Sequence, residues 1–303
     1  MKNKVTLAGF LLTFTGAVLF STKAIIVKKA FVDIKTDALS LLLLRMVCAL
    51  PFYLATLFFT GKQTSYQPLS KKEWLWLVIL GLFGYYISSF LDFAGLQYVS
   101  AGLERLILFL YPTFVVLINL LLFKQAISRI QLFALLLTYA GIAIAFWGEW
   151  QADFSNPDFV YGSILIFFCS ITYAVYLVGG GKLIPKMGGT RFTAYSMIVS
   201  TAGVMLHYLL SGKSLSFQSS TAVIWGYGML LAIVATVIPS FLLAAGMKRV
   251  GSSNSAIISS VGPVSTIIQA HYILGEKMLP AQVIGTLLVI AGVLLIGKKE
   301  SKG

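Results

Sequence analysis

Residues 90–112 read FLDFAGLQYVSAGLERLILFLYP, and residues 241–263 read FLLAAGMKRVGSSNSAIISSVGP. Sliding the chain against itself by 151 residues aligns Phe90-Leu91 with Phe241-Leu242, Ala94-Gly95 with Ala245-Gly246, Val99 with Val250, and Pro112 with Pro263. The match continues outward: Gln131 meets Gln282, Leu136-Leu137 meets Leu287-Leu288, and Ala140-Gly141 meets Ala291-Gly292. A proline inside a helix removes an amide donor and kinks it, so matched proline and glycine positions within apolar text mark an internal duplication.

The composition says what kind of chain is duplicated. Of 303 residues, 58% are apolar and only 11% charged, with a mean hydropathy of +0.90, which excludes a water-soluble fold. The net charge of +13 would suggest a nucleic-acid partner in a soluble chain, but here long apolar runs divide the Lys and Arg residues into short clusters. The reading is an all-α polytopic membrane protein that binds no nucleic acid.

A bilayer core about 30 Å thick needs roughly 20 apolar residues per helix. Cutting the chain where polar residues interrupt such runs gives ten candidate spans, near 5–27, 38–60, 74–96, 100–122, 130–148, 160–179, 192–210, 222–245, 252–273 and 280–297. Lys2 and Lys4 precede the first, whose full span length predicts an uncleaved helix rather than a signal peptide. With the N-terminus in the cytoplasm, 15 of the 23 Lys and Arg fall inside and 5 outside, while Lys23, Arg45 and Arg105 lie within spans. That asymmetry predicts both termini on the cytoplasmic side.

Each copy then holds five spans. An odd number makes the second copy enter the membrane from the opposite face, so residues 1–150 and 151–303 form two inverted five-helix repeats around a central cavity. Two near-equivalent halves can exchange conformations and open a shared site first to one side and then to the other.

The chain resembles the EamA-type permeases of the drug/metabolite transporter superfamily over nearly its whole length. The likeness rests on Arg45-Met46-Val47-Cys48-Ala49, Gly95-Leu96-Gln97-Tyr98-Val99-Ser100-Ala101 and Pro112, then on Gly262-Pro263, Leu274-Gly275-Glu276-Lys277, Gly285 and Gly292. The first copy has Phe123-Lys124-Gln125 where the family usually has a Gly-Glu pair, so a role for that acid carries over only to Glu276. The resemblance implies ten helices around a cavity in the bacterial plasma membrane and movement of small metabolites, often amino acids leaving the cell.

Ionisable side chains inside spans cost about 2.5–3.5 kcal/mol or more each, so they face a cavity or a partner. Five occur, Lys23, Arg45, Asp92, Glu104 and Arg105, all in the first copy. The 151-residue offset gives Asp92, Glu104 and Arg105 the uncharged mates Leu243, Ser255 and Ala256, and aligning Gly9 with Gly162 pairs Lys23 with Tyr176. A charge needed only to build the fold should recur in both copies, so substrate or proton roles gain weight, against simple neutralisation or snorkelling to the interface.

Glu104, Tyr111 and Asn119 share one helical stripe, and Ser255, Ser259, Thr266 and Gln269 form a comparable stripe in the ninth span. Two such stripes would face each other across the cavity. Tyr86, Tyr173 and Tyr176, with Tyr85, lie deep enough to wall it, whereas the tryptophans near span ends read as interface anchors. The expected substrate site is therefore Lys23, Tyr86, Glu104, Tyr111, Asn119, Tyr173, Tyr176, Ser255, Ser259 and Gln269, with Glu104 and Asp92 as proton-coupling candidates. Lys23 would hold a substrate carboxylate.

Cys48 and Cys169 read as buried packing residues, and no metal-spaced ligand set or cofactor motif is present. Gly179-Gly180-Gly181, Pro185 and Gly188-Gly189 lack the Gly-Lys-Ser/Thr pattern of a phosphate loop and read as a linker between spans six and seven. No ATPase motif appears, so the expected function is a secondary transporter, working as a monomer on a small-molecule substrate with a proton or ion gradient. An intramembrane enzyme or lipid-handling protein is the alternative. It would be expected to show paired catalytic His or carboxylates such as HExxH, which are lacking. A sensor or scaffold would want an extramembrane domain.

Overall fold

The computed structural model describes residues 6–60, 68–123, 129–152, 156–213, 219–250, 258–259 and 261–300. Among the described residues the regular elements are helices. They are α1 (Leu7–Ile34), α2 (Ala38–Thr60), α3 (Lys71–Gly95), α4 (Ala101–Leu108 and Tyr111–Phe123), α5 (Arg129–Ala152), α6 (Phe159–Met187) and α7 (Gly189–Leu210). The chain continues through α8 (Thr221–Ala232, Ile233–Val237 and Ile238–Val250), α9 (Val261–Gln269 and Ala270–Leu274) and α10 (Pro280–Glu300). Six of these helices, in α1, α2, α3, α6, α7 and α8, are long and apolar enough to cross a membrane.

The solvent rule of globular proteins is inverted. Phe59 and Leu210 are 76% and 78% exposed, while Glu104 is 0% exposed and Lys23, Arg45, Asp92 and Arg105 are also buried. An outside covered by large apolar side chains and an inside holding charge suits lipid as the solvent. This is a multi-pass membrane protein.

Local chemistry sets several helix starts. Ser70 and Glu73 form a reciprocal capping box at the start of α3, and Ser100 Oγ accepts from Leu103 N (3.0 Å) at the start of α4. Asp37 takes the Leu39 and Ser40 amides (3.0 and 3.3 Å) ahead of α2 and pairs with Lys213 at 3.0 Å. Burial pushes the Asp37 carboxyl upward, but the bonds from Ser40 and Lys213 outweigh it, so the group sits below the ordinary carboxylate range.

Three features depart from the expected spans. First, α1 runs on through Lys28 and Lys29 to Ile34, ending where Lys35 turns left-handed at φ 44°. Second, α6 does not stop near residue 179. It continues through Gly179-Gly180-Gly181 and Pro185 to Met187, so the expected linker is helical. Glycine weakens a helix, yet here its bare surface lets Leu80 pack on Gly179 and Phe192 on Gly180, and those contacts hold the helical turn. The break comes instead at Gly188, with φ 79°. Third, α4 is interrupted at Phe109 and Leu110. Leu110 N turns back to Ile107 O at 3.0 Å, and Pro112 has no amide hydrogen with which to continue the ladder across the gap.

Wide π turns interrupt α3 at Leu82–Ile87 and α8 at Ile233–Val237, starting 151 residues apart. α1 packs on the last segment of α8 and on α9, α2 on α7 and α8, α3 on α6 and α7, α4 on α6 and α9, and α5 on α10. Small residues make the close approaches. A Cβ on Gly141 would stand 2.6 Å from the carbonyl oxygen of Gly285, and a Cβ on Gly285 would meet the carbonyl of Gly141 in return. Gly226, by contrast, is an exposed helical residue with nothing within 4 Å of an added Cβ. Gly226→Ala is therefore expected to stabilise the chain by about 0.4–1 kcal/mol, read as a raised midpoint of thermal unfolding in detergent.

Candidate functional site

The buried charges converge from four helices. Lys23 on α1 reaches Asp92 on α3 at 2.7 Å and Glu104 on α4 at 3.8 Å, so one ammonium serves two carboxylates. The Glu104 carboxylate accepts no hydrogen bond among the described residues. Arg45 on α2 donates from Nε to Thr236 Oγ1 (2.9 Å) and from Nη1 to Ser89 Oγ (3.2 Å), and its guanidinium lies over the Phe93 ring at 5.5 Å. The π turn of α8 supplies that partner, since Thr236 Oγ1 in turn donates to Leu231 O at 2.8 Å.

Arg105, the neighbour of Glu104, donates from Nη2 to Ser21 Oγ at 3.2 Å, while its buried Nε has no partner among the described residues. Phe20 stands between two cations, 5.9 Å from Lys23 Nζ and 5.6 Å from the Arg105 guanidinium carbon. Two small spaces adjoin this cluster and share Phe20, Leu108 and Tyr173. One, of about 40 Å³, is lined by Lys23, Arg45, Asp92 and Tyr85 among others; the other, of about 110 Å³, by Arg105, Tyr111 and Ser259.

Of the expected site residues, Lys23, Asp92 and Glu104 thus come together, with Tyr111, Tyr173 and Ser259 beside them. Tyr111 and Tyr173 meet edge to face at 5.2 Å. Tyr176 stacks between Tyr173 (6.0 Å) and Phe192 (5.2 Å), leading away from the charges. Tyr86 faces His207 at 5.8 Å, and Gln269 Nε2 donates to Ser265 Oγ within its own helix at 2.7 Å. Ser255 and the side chain of Asn119 lie outside the described residues.

A second polar cluster joins α1, α4, α5 and the start of α10. The Glu276 carboxylate accepts from Ala101 N at 3.2 Å, capping the first turn of α4, and pairs with Lys28 at 3.4 Å. Lys28 also donates to Val99 O at 2.6 Å. Glu149 accepts from Ser100 Oγ at 2.5 Å and from Gln282 Nε2. These groups line an open cavity of about 450 Å³. Sequence reasoning singled out Glu276 but missed Lys28, Ser100, Glu149 and Gln282 as its companions. The signal available was the duplicated Gln131 and Gln282 and a lone acid ending an otherwise apolar helix.

Comparison with known proteins bears on the whole arrangement. The model of the EamA-like transporter family matches residues 7–147 and again residues 160–298. An uncharacterized transporter of Bacillus subtilis, YcbK, is 33% identical over 99% of this chain and 98% of its own length. An uncharacterized transporter of Archaeoglobus fulgidus is 27% identical over 87% of this chain and 89% of its own. One crystal structure superposes with a TM-score of 0.65 over 95% of this chain and 96% of the other, at 20% identity, a likeness of fold alone.

Proposed function

The chain belongs to the EamA-like transporter family, and from that premise we propose that it is a secondary transporter exporting small metabolites, amino acids or related compounds, across the bacterial plasma membrane by alternating access. The observation that carries this reading is the set of five ionisable side chains buried beside small cavities in an apolar bundle, a costly arrangement that serves substrate or ion movement.

In this reading ten spans form two inverted repeats, residues 1–150 and 151–303, with both termini cytoplasmic. Support comes from three sides. The family model matches twice, the π turns of α3 and α8 stand 151 residues apart, and exchanging α1 to α5 with α6 to α10 turns the α1–α8 contact into the α6–α3 contact and maps α2–α7 and α5–α10 onto themselves. The excess of Lys and Arg on the cytoplasmic side supports the orientation. Because one chain carries both halves, a second copy is not required for function.

Glu104 and Asp92 are the groups proposed to couple a proton to transport, with Tyr111, Tyr173 and Ser259 around the substrate. Tyr86, Tyr176, Asn119, Ser255 and Gln269 remain proposed contacts for other states of the cycle. In proteoliposomes with labelled amino acids, wild-type flux is expected to follow an imposed pH gradient. Glu104→Gln is expected to lose roughly tenfold of that gradient-driven flux, within the usual range of coupling energies. Unchanged pH dependence in the variant would remove Glu104 from the coupling role.

A further inference from the structure

The charge cluster is unbalanced, and the imbalance selects a substrate. Three cations, Lys23, Arg45 and Arg105, are buried against two carboxylates, Asp92 and Glu104. Protonating either carboxylate only enlarges the positive excess. Asp92 is paired with Lys23 at 2.7 Å and Glu104 faces the same ammonium from 3.8 Å, so a substrate ammonium arriving at either would compete with Lys23. Neither arginine forms an ion pair among the described residues; Arg45 is held by hydroxyl groups and a ring, and Arg105 keeps a buried Nε without a partner.

An uncompensated buried cation is costly, and the cost is removed by an anion arriving beside it. Arg105 is the place where that can happen. Its guanidinium borders the 110 Å³ space, whose other walls include Phe20, Phe109, Tyr111 and Tyr173 with the Ser259 hydroxyl. A guanidinium fork suits a carboxylate, and the aromatic walls suit an apolar body. With the adjoining 40 Å³ space, the room approaches that of a cavity that admits benzene.

Resting on the transporter reading above, we infer that the substrate is a small organic monoanion, whose carboxylate is held by Arg105 and whose apolar or aromatic body lies against Phe20, Tyr111 and Tyr173. This moves the carboxylate anchor from Lys23, which Asp92 and Glu104 already occupy, to Arg105.

Three labelled probes with one side chain and different charge test the inference in proteoliposomes: 4-methyl-2-oxopentanoate (anion), leucine (zwitterion) and leucinamide (cation, below neutral pH). The oxo acid is expected to be carried at least roughly tenfold faster than the other two, the factor corresponding to one charge-assisted contact. Arg105→Gln is expected to abolish the preference. Arg105→Lys, which keeps the charge and loses the fork, is expected to retain some of it, and monodisperse gel filtration of both variants shows that they fold.

Faster transport of leucine or leucinamide would overturn the anion assignment and leave the transporter reading standing. Wild-type preference retained in Arg105→Gln would overturn Arg105 as the anchor. If none of the three is carried, the inference fails; if a broad labelled metabolite extract is not moved either, the transporter reading fails with it.

Discussion

Lys23→Met is expected to destabilise the folded chain by about 3–5 kcal/mol, the loss seen when one partner of a buried ion pair is removed. The variant leaves Asp92 and Glu104, 1% and 0% exposed, without the ammonium they share and with their charges turned on each other. Adding Asp92→Asn to Lys23→Met should return much of the loss, because it removes one of the two uncompensated charges. Thermal unfolding in detergent of the wild type, the two single variants and the double variant closes the cycle. Near-additive losses would show that the pair is not an energetic unit. Lys29→Met, which breaks the exposed i,i+4 pair with Asp33, serves as the contrast and is expected to change little.

Gly285→Val is expected to cost about 1–3 kcal/mol or more through overpacking between α5 and α10. Here the atoms in the way are the carbonyl oxygen of Gly141 and the Cβ of Ala145 in α5, neither of which a side-chain rotation can move aside. The helices must separate, and the close contact through which small residues join membrane helices is lost. Measured beside Gly226→Ala, which meets open space, the two substitutions should shift the unfolding midpoint in opposite directions. A neutral Gly285→Val would show that the α5–α10 contact is looser than the structure has it.

Much of the architecture was legible because membrane helices announce themselves locally. The turn joining α3 to α4 lies at Gln97 to Ser100, where polar residues separate the apolar runs on either side, and Ser100 caps α4. Pro112 marked a disturbance in the fourth span, and the break falls just before it. The glycine triplet of α6 misled, since composition records glycine's freedom but not the Leu80 and Phe192 side chains that hold it helical. The five intramembrane charges were visible as exceptions to apolar text, yet their pairing was not. Lys23 could as well have reached the interface as Asp92.

By itself the sequence determined the chemistry of the chain: apolar runs of bilayer length, five charges set within such runs in the first half, a duplication at 151 residues, and an asymmetric distribution of Lys and Arg. Those features reflect the backbone's need to satisfy its own hydrogen bonds in lipid, which each helix does locally. The tertiary structure alone decided who meets whom: that Lys23 is spent on Asp92 and Glu104, that Glu276 caps α4 beside Lys28, and that Arg105 faces a cavity with a nitrogen unsatisfied among the described residues. Such pairings depend on distances between helices remote in sequence, which packing sets and the local pattern of residues does not encode.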